Sequence, residues 1–271
     1  MATPNLAANV SSLLGETTLQ VGNTTIHYDR ENDVCSWLSQ DFVEVISNKN
    51  PGVTFNNCLE WCSGCGFIGF RLLESGICNN ITFLESSQRC IEDIEKTLND
   101  PSNIHLKSKV SIVNSNTITD LINQKFDLIV GNPPLRNTTE GFQFWSALSN
   151  TYSVVHNSLN IPSNIPFDIN LYFDKSILID EDWEIHQDFF SNIKNNLNSN
   201  GVIYLLEDSD VSNVNTFSSF VSNGGLQITD TLTYNNLIKN PSYDSITEFF
   251  GEDFYPGEDN SHIYYLEIKS A

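Results

Sequence analysis

The sequence predicts a doubly wound α/β fold: a mostly parallel seven-stranded sheet with an antiparallel C-terminal hairpin and a short N-terminal extension. Three observations predict it. From residue 55 onward, short apolar runs alternate with segments of helical periodicity, and strand–helix–strand repeats make parallel pairs joined by crossover helices. The first run enters a glycine-rich turn that opens a helix, as ligand-binding crevices of such sheets require. The last two runs have only a long loop without strong helical pattern between them, which suits an antiparallel terminal pair.

Residues 17–29 alternate apolar and polar side chains around Gly22-Asn23 and read as a β-hairpin. Val34, Trp37, Leu38, Phe42, Val45 and Ile46 place a helix over 33–48, which Pro51-Gly52 ends. Then come a strand at 55–61, a helix at 66–76 closed by Gly76, a strand at 81–85 and a helix at 87–98. A third strand at 110–115 is followed by a helix near 117–124 and a fourth strand at 126–132. A helix over 182–197, ended by Asn200-Gly201, feeds a strand at 202–208, and the last strands lie at 226–234 and 262–270. Residues 1–52 are thus an extension and 53–271 the main domain. Residues 136–181 form an insert without clear periodicity, leaving the carboxyl end of a strand and carrying Phe142, Phe144 and Trp145 as candidate substrate contacts.

Thirteen basic residues against thirty-four acidic ones give a formal charge of −21. Proteins that grip long nucleic acid show a basic face, and here only Lys96, Lys107 and Lys109 form a thin concentration, so charge argues against a nucleic-acid partner. No apolar run reaches the roughly 20 residues of a membrane helix, and the N-terminus has no secretory pattern, which makes the cytoplasm the expected compartment. Oligomeric state is not legible.

Glu60-Trp61-Cys62-Ser63-Gly64-Cys65-Gly66 lies between a strand and a helix, where small residues let backbone approach an anionic or nucleoside ligand. Glu85 ends the next strand, 19 residues after Gly66, and could accept hydrogen bonds from two ribose hydroxyls. Glu60-x-x-x-Gly64-x-Gly66 resembles the first motif of class I S-adenosylmethionine-dependent methyltransferases of the small-domain superfamily, over about residues 55–208. The resemblance implies a Rossmann-like methyltransferase fold, S-adenosylmethionine as cofactor and S-adenosylhomocysteine as product. It puts Gly64 and Gly66 at the methionine part, Glu85 at the ribose, and Ser115 or Asn116 near the adenine, with Glu60 and Cys62 also among the cofactor-binding residues. Cys62 stands where the motif has glycine, and the position is expected not to need positive φ.

Cys58, Cys62 and Cys65 also fit C-x3-C-x2-C, the spacing by which radical enzymes of the same cofactor hold an iron–sulfur cluster. Cys58 falls inside an alternating strand, and the order downstream is that of a methyltransferase, so no metal is expected and the thiols are read as packing groups.

The apolar strand 126–132 runs into Asn132-Pro133-Pro134-Leu135. Prolines stiffen the turn and let the Asn132 side-chain oxygen and the Pro133 carbonyl accept from one NH2 group, orienting its lone pair without a strong base. This is similar to the Asn-Pro-Pro-aromatic motif of methyltransferases acting on adenine N6, cytosine N4 or a glutamine amide. The catalytic turn is therefore Asn132 to Leu135, with Asn132 also against the cofactor. Leu135 removes the aromatic face usual there and makes a nucleobase less secure. His186, in a W-x-x-H-x-x-F-F stretch, is a further candidate substrate contact. The expected function is N-methylation of an amine or amide in a small molecule or a peptide or protein side chain. Two alternatives stay open: adenine N6-methylation of RNA or DNA, and a non-catalytic cofactor-binding scaffold for a partner subunit.

Overall fold

In the computed structural model, residues 16–29, 38–137, 179–209, 211–233 and 263–271 are described. The hairpin forms as β1 (Glu16–Val21) and β2 (Thr24–Asp29), with Gly22 in the left-handed region at φ 57°. It makes a sheet of its own. The outer backbone of β2 is taken up by side chains of the next layer: Asn103 Oδ1 accepts from Thr25 N (3.0 Å), Thr97 Oγ1 from His27 N (2.8 Å) and Asp93 Oδ2 from Asp29 N (3.0 Å). Bonded to a helix in this way, the edge cannot template another strand.

The main sheet contains β3 (Phe55–Trp61), β4 (Cys78–Glu85), β5 (Val110–Asn114), β6 (Phe126–Gly131), β7 (Leu197–Asp208), β8 (Leu226–Thr233) and β9 (Ile263–Ser270). Their spatial order is β5-β4-β3-β6-β7-β9-β8. The first five strands in that order pair in parallel, while β9 runs antiparallel to both β7 and β8. The mixed seven-stranded sheet is the one expected from the alternation of runs.

Period-two alternation sends the strand side chains into two cores. Cys58, Phe83, Leu128, Val130 and Tyr204 pack with the hairpin and with α1 (Ser39–Lys49), α2 (Phe67–Glu74) and α3 (Gln88–Asn99). Leu59, Trp61, Ile129, Ile203 and Leu205 pack on the other face with α4 (Glu184–Asn192) and α5 (Val214–Asn223). Phe70 of α2 is fully buried against Phe83, ring centroids 5.0 Å apart; such burial contributes about 1.5–3 kcal/mol per side chain. On α3, Cys90, Ile94 and Thr97 recur at helical spacing on the buried face.

Three elements differ from the sequence reading. The helix expected near 117–124 is a single 3-10 turn, Ile118–Asp120, because Thr117 caps it at once and Asn123 takes a left-handed φ of 60° that ends helical winding. The helix expected over 182–197 is α4 followed by a 3-10 turn, Ile193–Asn196, and β7 begins at Leu197. Phe126 pairs with Leu197 and Leu128 with Val202, so the residues around Asn200-Gly201 form an irregularity within the strand and not a helix end. The segment before β8, for which no helix was expected, is α5. Asn213 caps it in a capping box with Thr216, and Phe217 and Val221, four residues apart, anchor it. Val34, Trp37, Tyr234 and His262 fall outside the described residues, as does the insert between 138 and 178.

Candidate active site

Strand order reverses between β3 and β6, which lie side by side while their successors β4 and β7 go to opposite flanks. A ligand crevice opens above the carboxyl ends of strands at such a switch point. Trp61 pairs with both Leu84 and Gly131, so the turns after β3, β4 and β6 leave the sheet at one level.

The turn after β3 is made almost wholly by backbone. Cys62, Gly64 and Gly66 all take positive φ, at 52°, 51° and 79°. The expectation that Cys62 would not need this conformation is therefore corrected: a side chain with Cβ occupies a left-handed position, which costs roughly 1–2 kcal/mol. At Gly64 an added Cβ would meet nothing within 4 Å, so there is open space above the turn. Glu60 lies beneath it, 1% exposed. Its Oε2 accepts from Gly69 N at 2.7 Å, fastening the start of α2 to β3, while Oε1 is buried without a partner. Burial pushes its carboxyl well up, with the Gly69 and Ile68 amides pulling the other way. Ser63 Oγ is a second buried oxygen here without a partner.

Glu85 reaches from the end of β4 to that turn. Its Oε2 accepts from Gly64 N at 2.7 Å, and Oε1 from Ser86 N and Ser87 N at 2.9 and 2.8 Å. Ser115 N donates to the Glu85 carbonyl at 2.9 Å, and Ser115 Oγ to Asp120 at 2.6 Å. Asn116 is exposed beside it.

The turn after β6 is held by different means. Pro133 and Pro134 are buried, and Asn132 Oδ1 is buried without a partner. Leu135 is half-buried and packs against the core on the side of the hairpin and α1 to α3. Arg136 pairs with Ile179 in an isolated bridge, its carbonyl accepts from Asp180 N (2.9 Å), and its guanidinium reaches Asp208 (3.4 Å).

His186 corrects the expectation of a crevice-facing substrate contact. It is fully buried, Nδ1 2.5 Å from Asp180 Oδ2 and Nε2 3.2 Å from Glu207 Oε1, and its ring stacks on Phe217 (4.8 Å) with Trp61 and Trp183 edge-on. Burial alone would lower its pKa, but the Glu207 charge and the bonds to Asp180 and Glu207 outweigh that and push it up to about 9. Asp180 also accepts from the Ile185 and His186 amides, at 2.8 and 3.1 Å, fixing the start of α4 after two left-handed residues, Asp182 and Trp183. Asp180 and Glu207 were not found from the sequence. A signal for Glu207 existed: it ends the apolar run of β7 as Glu85 ends that of β4.

Thus Glu60, Cys62, Gly64, Gly66, Glu85 and Ser115 come together on one side of the switch point, and Asn132, Pro133 and Pro134 on the other. Phe142, Phe144 and Trp145 lie outside the described residues. Cys58 sits in the core under α2 and α3, whereas Cys62 packs against the opposite face, so the two thiols do not converge. Among the described residues no group of His, Cys, Asp or Glu is arranged to hold a metal, and no helix is long and apolar enough to cross a membrane.

Residues 32–151 match the sequence model of a family described as methyltransferase small domain. No curated protein matches the chain. Among solved structures, a T. thermophilus 16S rRNA N2 G1207 methyltransferase, in complex with AdoMet and guanosine, aligns at a TM-score of 0.53 and 13% identity. The alignment covers 96% of this chain and 51% of that one, so this chain spans about half its length. A candidate RNA methyltransferase of Pyrococcus horikoshii aligns at 0.50 and 12% identity over 100% and 98% of the two chains. At these identities the likeness is one of fold, and it lends no support to the expectation against nucleic acid. Residues 32–151 thus carry the match to a methyltransferase small domain, and the chain shares its fold with solved S-adenosylmethionine-dependent methyltransferases.

Proposed function

We propose that this chain is an S-adenosylmethionine-dependent methyltransferase that transfers its methyl group to nitrogen, on an amine or amide of a small molecule or of a peptide or protein side chain. The observation that carries the reading is Asn132 Oδ1, a buried acceptor without a partner at a proline-stiffened turn. It leaves the strand next to the one bearing the glycine-rich turn. A buried acceptor left unpaired is costly, and a substrate N–H completes it. Asn132 and the Pro133 carbonyl would hold an NH2 group with its lone pair toward the methyl donor; rate then comes from positioning.

The residues present fit the cofactor. Open space above Gly64 admits a ligand close to backbone, and the unpartnered Glu60 Oε1 and Ser63 Oγ offer acceptors beside it. Glu85 would take the ribose hydroxyls, exchanging its backbone partners for them, with Ser115 and Asn116 flanking the adenine. When bound, S-adenosylmethionine supplies an electrophilic methyl group.

The test is incubation with methyl-labelled S-adenosylmethionine and separate pools of RNA, protein and small metabolites. Label is expected in metabolites or protein as N-methyl, and strongly reduced with Asn132→Ala. Label entering RNA alone contradicts the reading, and binding of cofactor without transfer to any pool supports a scaffold instead.

A further inference from the structure

We propose that the buried Asp180–His186–Glu207 cluster is a subsite for a positively charged nitrogen group of the substrate, with Glu207 Oε2 as its contact and first proton acceptor. The proposal rests on the reading that nitrogen receives the methyl group, and narrows that nitrogen to an amine that arrives as an ammonium.

All three side chains are fully buried. His186 faces a carboxylate with each ring nitrogen, and only the doubly protonated ring donates to both. One imidazolium against two carboxylates leaves the cluster a net negative charge. That charge has a place: Glu207 Oε1 is engaged by His186, but Oε2 is buried with no partner. The neighbouring groups are otherwise employed. Arg136 lies against Asp208, and Tyr264, the strand partner of Glu207 on β9, shares a 3.0 Å hydrogen bond with Ser212. A glutamate kept only to hold His186 would gain nothing from a dry, unpaired second oxygen, whereas a cation arriving there completes it.

The place in the fold suits the reaction. Gly131, the last residue of β6, pairs with Leu205, so the turn that begins at Asn132 leaves the sheet next to the end of β7 that carries Glu207. Trp61 and Trp183 pack around His186, ring centroids 5.6 and 5.3 Å away, so the cluster sits in an aromatic surround at this end of the sheet. An ammonium has no lone pair and cannot accept a methyl group until it loses a proton. At Glu207 the N–H bond would break with its electron pair staying on nitrogen, and the proton would bond to Oε2. Burial pushes the Glu207 carboxyl up, which favours that transfer. The methylated product is again a cation, and Glu207 returns its proton to water when the product leaves. His186 and Asp180 are positioning residues that fix Oε1 and so aim Oε2.

Three measurements on the full chain test this. Urea unfolding at pH 7.5 should give Glu207→Gln a midpoint equal to or above wild type; a clearly lower midpoint would show a structural carboxylate and overturn the proposal. Titration with n-butylammonium chloride, followed by tryptophan fluorescence, should saturate with wild type and neither with Glu207→Gln nor with n-butanol as the neutral probe. No saturable change, or the same change in the variant, would overturn it. With labelled cofactor and panels of alkyl amines and of carboxamides, label should enter amines and fall about 100-fold or more in Glu207→Gln, with a flattened acid limb in its pH profile. Label confined to carboxamides would overturn the proposal while leaving nitrogen as acceptor. Butylammonium binding without any transfer would instead sink the methylation reading and leave the cation site standing.

Discussion

The two turns that face each other across the switch point are built by opposite means. After β3, backbone shapes the turn: three left-handed residues, a carboxylate tied to Gly64, Ser86 and Ser87 amides, and a second carboxylate tied to the start of α2. After β6, the turn's own prolines and distant segments do the work: a bridge from Arg136 to Ile179, the Arg136 guanidinium on Asp208, and nearby a buried histidine between Asp180 and Glu207. A backbone cradle suits a constant ligand such as a cofactor. A side-chain cluster with unfilled acceptors suits the ligand that differs from enzyme to enzyme.

Breaking the charged side first should have the largest effect. His186→Ala leaves two buried carboxylates without their cation, and a loss of about 3–5 kcal/mol is expected in urea unfolding. The pH dependence has a definite sign. The folded pKa of His186, about 9, lies above the ordinary 6.5, so its stabilisation is complete below pH 6.5 and is lost as pH rises through 9. Glu207, also pushed up, acts in the same direction. Wild-type stability should therefore fall from pH 6.5 to 9, and His186→Ala should flatten that fall; a wild type stable across the range would show the ring to be neutral.

Next is Asn132→Ala, expected to cut methyl transfer by about 100- to 1000-fold, the scale of removing one positioned polar group. On the backbone side, Glu85→Ala should weaken cofactor binding by about 10- to 100-fold, the scale of a charge-assisted hydrogen bond. The smallest effect sharpens the contrast. Cys62→Gly relieves left-handed strain and adds unfolded-state entropy, for a net gain of about 0.5–1 kcal/mol in unfolding free energy. A loss there would show that the thiol's packing against the α4 face outweighs the backbone.

The backbone side was largely legible, and the reason is physical. Glycines, a strand-end carboxylate and alternating runs are local signals, so Gly64, Gly66 and Glu85 could be placed together from spacing alone. The need for positive φ at Cys62 was not legible, because the cysteine itself hides it. The helix near 117–124 failed because apolar periodicity over a few residues does not separate a helix from one 3-10 turn. On the side-chain half, Asn132-Pro133-Pro134 was readable as a motif. The partners of His186 were not: Asp180 and Glu207 lie 6 and 21 residues away, and only the fold brings them to one ring. A helical histidine with no visible partner reads equally as a core, surface or crevice residue, and only three-dimensional pairing shows it buried between two carboxylates.

The division of labour between the two turns is tested most directly by calorimetric titration of S-adenosylmethionine into wild type, Glu85→Ala and Asn132→Ala. Glu85→Ala should bind about tenfold or more weakly, and Asn132→Ala within about twofold of wild type, a difference under about 0.5 kcal/mol. Unchanged affinity in Glu85→Ala together with a large loss in Asn132→Ala would contradict the assignment of cofactor to one turn and acceptor nitrogen to the other.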